Sequence, residues 1–182
     1  NLSGFDELVE VRNCIIRDIE PTQPWDSTYG VSGQAASLKM VGCLLSNIQG
    51  YAVDAKPGTS LELTDCVIED IQQEDYTGVV QVWMGCHPVI TGCTWRNNTG
   101  IGLNIMSYNS AAISDCEITD STGRPLSMSL NESEESLVIQ GTIISGNEGG
   151  INVSGGSGSS VTIEDCVITQ NSGGLDVSCG SV

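Results

Sequence analysis

Apolar and polar residues along this chain recur in one local frame, repeated seven times. In each copy a large residue stands three positions before a small anchor, and another stands two positions after it. The leading column reads Val11, Met40, Leu63, Ile90, Ile113, Ile139 and Ile163; the trailing column reads Ile16, Leu45, Ile68, Trp95, Ile118, Ile144 and Ile168. The anchors are Cys14, Cys43, Cys66, Cys93, Cys116, Thr142 and Cys166. Together these positions form an inward face with a period of two, which predicts strand and not helix. The position just before the anchor holds only Asn13, Gly42, Asp65, Gly92, Asp115, Gly141 and Asp165. Gly, Asn and Asp adopt a left-handed backbone at the least cost, so the frame predicts two short strands joined at a sharp left-handed corner.

A third strand follows each corner after a glycine-bearing turn. Its inward pairs read as Tyr51/Val53, Val80/Val82, Leu103/Ile105, Leu126/Met128, Ile151/Val153 and Leu175/Val177, with Val31 opening the first copy. Successive anchors lie 29, 23, 27, 23, 26 and 24 residues apart. Such units, constant in frame and variable in length, are coils with adjustable loops. Three short strands per coil, stacked coil on coil, predict an all-β fold: a right-handed parallel β-helix of about seven coils. At about 4.8 Å per coil the rod is on the order of 34 Å long. We expect one such domain across residues 1–182, either a segment of a longer chain or a stacking subunit.

The pattern Ile-x-Asp-Cys-x-Ile, then Asn or Asp, then Gly-Gly-Ile, resembles the repeats of the right-handed β-helix (pectate-lyase-like) superfamily, over essentially the whole chain. The last two coils, Ser145-Gly-Asn147-Glu-Gly-Gly150-Ile and Thr169-Gln-Asn171-Ser-Gly-Gly174-Leu, are also similar to surface repeats of β-helical bacterial adhesins and polymorphic outer-membrane proteins. Ile144 and Ile168 stand where those repeats carry Phe. The resemblance implies a fold that hosts both enzymes and non-enzymes. Its enzymes act on acidic polysaccharides, either with a cationic side chain beside carboxylate-bound calcium or with a cluster of carboxylates. Their catalytic groups project from the outer side of the third strand, a column that reads here as Ser32, Ala52, Gln81, Asn104, Ser127, Asn152 and Asp176. One carboxylate and no cation is too little for either chemistry, so we expect no enzyme.

Charge narrows the partners. Among 182 residues, 23 acidic side chains face 6 basic ones, a formal net charge of −17. A nucleic-acid binder needs the opposite sign, and docking on an anionic membrane is disfavoured. No apolar run approaches the roughly 18 residues of a membrane span. The resemblance to surface repeats implies an extracellular or cell-surface setting. The expected partners are another copy stacked end to end, neighbouring coils of the same chain, or a glycan or protein ligand.

The eight cysteines contain no Cys-x-x-Cys pair, and His87 is the one histidine, so zinc-type spacing is missing. Cys14, Cys43, Cys66, Cys93, Cys116 and Cys166 instead read as a structural ladder filling the core. Bridging between adjacent coils remains open. A column four after the anchor, Asp18, Asn47, Asp70, Asn97 and Asp120, reads as a ladder capping turn amides or, alternatively, as oxygen ligands for calcium; otherwise no cofactor is expected. An outward stripe of Ile15, Leu44, Val67, Ile143 and Val167 is a candidate interaction face. Two loop insertions, 20–30 and 72–78, bring Trp25, Tyr29 and Tyr76 to one side as candidate binding loops. The leading expectation is a non-catalytic structural or adhesive rod; the alternative is a carbohydrate-binding or carbohydrate-active domain.

Overall fold

A computed structural model describes residues 2–22, 27–73, 77–106, 110–130 and 135–179, side chains of 2–7, 35, 36 and 179 excepted. Every regular element among these residues is a strand, and no helix is long and apolar enough to cross a membrane. Three parallel sheets run along the rod. The first holds β1 (Leu2–Arg12), β3 (Tyr29–Val41), β6 (Ser60–Thr64), β9 (Val89–Thr91), β12 (Ala111–Ser114), β15 (Ser136–Gln140) and β18 (Ser160–Glu164). The second holds β2 (Ile15–Ile19), β4 (Leu44–Gln49), β7 (Val67–Gln72), β10 (Thr94–Arg96), β13 (Glu117–Thr119), β16 (Ile143–Ser145) and β19 (Val167–Thr169). The third holds β5 (Tyr51–Ala55), β8 (Gly78–Val82), β11 (Ile101–Ile105), β14 (Leu126–Leu130), β17 (Ile151–Gly155) and β20 (Leu175–Cys179). β3 is long enough to belong to two sheets, pairing β5 through Tyr29–Gly33 and β6 through Ser37–Val41.

The repeat columns are the rungs. Ile16, Leu45, Ile68, Trp95, Ile118, Ile144 and Ile168 lie in unbroken register across the second sheet. All seven corner residues have φ between +51° and +64°. Asp18, Asn47, Asp70, Asn97 and Asp120 form a second left-handed corner, with φ between +51° and +58°, and Asn47 Nδ2 donates to Asp18 Oδ1 at 2.8 Å.

Stacking explains an alternation in the first corner. Asx and Gly follow one another strictly there, because each Asx side chain leans over the next coil's glycine. A Cβ on Gly42 would lie 2.7 Å from Asn13 Oδ1, on Gly92 2.4 Å from Asp65 Oδ1, and on Gly141 2.6 Å from Asp115 Oδ1. The alternation also holds like charges two coils apart, about 10 Å rather than about 5 Å. The second corner alternates Asp with Asn to the same effect.

The asparagines of the adhesin-like repeats point inward. Asn147 Nδ2 donates to Ile118 O at 3.0 Å and its Oδ1 accepts from Ser121 N at 3.1 Å; Asn98 does the same for Ile68 O and Ile71 N. Each buried amide thus satisfies backbone groups of the preceding coil where the chain turns and the strand ladder lapses.

Candidate functional site on the outer face of the third sheet

The third sheet carries a finding that the sequence pattern did not. Its outward column pairs Ser32 with Asp54, Asp54 with Gln81, Gln81 with Asn104, and so on through Ser127, Asn152 and Asp176. Asp54, not Ala52, occupies the second rung. The inward pair of β5 is accordingly Val53/Ala55, matched to Val80/Val82, and not Tyr51/Val53. Tyr51 and Val53 are the bulkier pair and fit the alternation in the letters, but the coil closes on the small side chain of Ala55, two residues further on. This register brings a second carboxylate into the column and a cation beside it.

Asp54 is 1% exposed although it faces outward. Trp83 Nε1 donates to Oδ1 at 2.7 Å, and Lys56 Nζ forms an ion pair with Oδ2 at 2.5 Å. Trp83 and Lys56 sit on adjacent rungs at the end of their strands, where Trp83 N donates to Ala55 O and Lys56 N to Gly33 O. The Lys56 ammonium also lies 5.2 Å from the centre of the Tyr29 ring and 5.9 Å from that of Trp83. Tyr29 in turn stacks on Tyr51, centroids 5.3 Å apart and planes within 14°. Burial works to lower the Lys56 pKa, but the hydrogen bond and charge of Asp54 outweigh it and raise the value. Next to this group, Gln81 Oε1 accepts from Gly78 N and Asn104 Nδ2, while its buried Nε2 has no hydrogen-bond partner among the described residues.

These contacts bury Asp54 and Gln81 on the outward side of β5 and β8, where the corresponding residues of β14 are only half-buried. Chemically the arrangement offers aromatic surface, a neutralised carboxylate and amide donors. No acid–base pair stands free in it, since Asp54 and Lys56 satisfy each other.

The remaining candidates fall elsewhere. Trp25 and Tyr76 lie outside the described residues, so of the three loop aromatics only Tyr29 is placed. The apolar stripe is outward but uneven: Ile15 is 66% exposed and Ile143 and Val167 are exposed, while Leu44 and Val67 are half-buried. Thr94 and Glu117 interrupt it in register. Arg96 is held by Glu69 at 2.6 Å, and Lys39 by Glu62. His87 Nδ1 accepts from Ser110 N at 3.4 Å. Among the described residues, no three His, Cys, Asp or Glu side chains gather where a metal could bind them.

Among the described side chains, which do not include Cys179, the thiols are free, and those of the inner coils are buried; Cys14, on the first coil, is exposed and Cys166 is half-buried. Most donate to a carbonyl two residues back, as Cys116 Sγ does to Ser114 O at 3.1 Å. Burial pushes Cys116 up to about 11 and raises Cys43 and Cys86. Cys86 lies off the ladder and donates to Lys56 O at 3.2 Å. Cys66 N donates to Cys93 Sγ at 3.4 Å, and the neighbouring Cys93 thiol holds Cys66 down against its burial, while Cys66 and burial raise Cys93.

A search of curated proteins returns no match. A family model described as a right handed beta helix region matches residues 29–182. With that match over most of the chain, and with three in-register parallel sheets wound into one solenoid, this chain belongs to the right-handed β-helix family.

Proposed function

We propose that this chain is a non-catalytic β-helical rod acting outside the cell or at its surface, as a stalk, an adhesin segment or an end-to-end stacking subunit. The observation that carries this reading is the unbroken register of seven rungs in the second sheet. A lattice in which every interior strand is hydrogen-bonded on both sides resists bending, which suits a spacer. Stacking on another copy, or on further coils of the same polypeptide, suits a solenoid whose in-register parallel strands extend coil by coil. The stripe of Ile15, Leu44, Val67, Ile143 and Val167 is the lateral face offered to a partner.

Light scattering across a concentration series tests the stacking form. A mass that rises with concentration is expected, and a strict monomer throughout would remove that form. Incubation with acidic and neutral polysaccharides tests the non-catalytic part. No chain cleavage is expected; cleavage that disappears in Asp54→Asn would overturn it.

A second reading, carbohydrate binding, is favoured by one observation: half-buried Tyr29, Tyr51 and Trp83 flank the amides Gln81 and Asn104 on the outer face. Aromatic surface beside amide donors suits the apolar faces and hydroxyls of sugars.

A further inference from the structure

The group around Lys56 has the composition of a cation box. Two aromatic rings, Tyr29 and Trp83, stand 5.2 and 5.9 Å from the ammonium, and the Asp54 carboxylate closes the third side at 2.5 Å. The walls are fixed more firmly than the occupant. Tyr29 is stacked on Tyr51, Trp83 is pinned through Nε1 to Asp54, and Asp54 is buried. Lys56 reaches in on a flexible four-carbon stem, and its side chain is 33% exposed. It can swing into solvent without disturbing a strand, because its backbone is held separately by Gly33 O.

We propose that the Tyr29–Trp83–Asp54 box is a binding site for a quaternary ammonium group carried by a ligand, with Lys56 as its displaceable internal occupant. The occupant already present identifies the class of guest: a cation that rests against π faces with a carboxylate beside it. A quaternary ammonium is less strongly hydrated than the lysine ammonium, so aromatic walls favour it more. The net charge of −17 gathers cations around the rod and raises their encounter rate. The tethered lysine competes at high effective concentration, which makes the intact chain a weak binder and gives the box a built-in threshold.

The test uses choline chloride as the probe, against sodium chloride at equal ionic strength. The readout is the indole N–H signal of Trp83 in the intact chain and in Lys56→Ala, assigned by its loss in Trp83→Phe. Choline is expected to shift this signal in Lys56→Ala at a concentration at least about tenfold lower than in the intact chain. It is also expected to raise the melting temperature of that variant, and Tyr29→Leu added to Lys56→Ala is expected to remove both effects. Lys56→Met keeps the stem and removes only the charge, so it serves if Lys56→Ala does not fold. Co-sedimentation with phosphatidylcholine vesicles separates a lipid headgroup from a free ammonium as the source. The proposal fails if choline moves the signal no more than sodium does, or if Tyr29→Leu leaves the response intact.

Discussion

Gly123→Ala is expected to destabilise the fold by about 3 kcal/mol. The residue has φ +152°, and a Cβ there would lie 2.2 Å from Gly100 O and 2.8 Å from Gly100 C. Those atoms are backbone of the adjacent coil, so no rotamer change relieves the contact; the two coils must separate or the turn must rearrange. Gly58→Ala is the comparison. Gly58 also has a left-handed backbone, φ +81°, yet nothing lies within 4 Å of its built Cβ. Its loss is expected to be about 1 kcal/mol, from backbone strain alone. Denaturant unfolding of the two variants separates intrinsic strain from coil-to-coil contact. Equal losses would show that Gly123 is not a contact between rungs.

Trp95→Ala is expected to cost about 4 kcal/mol. Trp95 occupies a column otherwise filled by Ile and Leu, between Ile68 and Ile118, and is 0% exposed. Deleting the indole leaves a cavity enclosed by strands on either side, which cannot collapse without breaking register. Trp95→Phe is expected to differ from the parent by only about 1 kcal/mol. It loses part of the ring but also removes the indole N–H, a buried donor with no partner among the described residues, whose isolation costs about 1–3 kcal/mol. Thermal melts of both variants check this. A Phe variant as unstable as the Ala variant would show that the indole N–H makes a compensating interaction.

The architecture was legible because each column of the repeat has its own physical requirement. A left-handed corner admits Gly, Asn and Asp; a closed core admits aliphatics and thiols. Seven copies of that frame read as seven rungs without any knowledge of register. The box at Asp54 was not legible for the same reason. Its members belong to no column rule, Asp54 and Trp83 are 29 residues apart, and they meet only when β5 and β8 are aligned to the residue. Placing Tyr51 instead of Ala55 in the core removed Asp54 from the outward column and with it the signal. The alternation of Asx and Gly was visible in the letters, but its cause, an Oδ1 lying over the next glycine, is a matter of coil stacking. Trp25 and Tyr76 belong to loops whose lengths differ between coils, where the repeat imposes no frame.

The repeated cysteines line the inside of one in-register solenoid, and alkylation of the native protein by iodoacetamide, read residue by residue by mass spectrometry, tests this placement. Cys14 should react first and Cys166 more slowly, while Cys43, Cys66, Cys86, Cys93 and Cys116 stay protected until the protein is unfolded. Native-state labelling of those five at the rate of Cys14 would contradict the account.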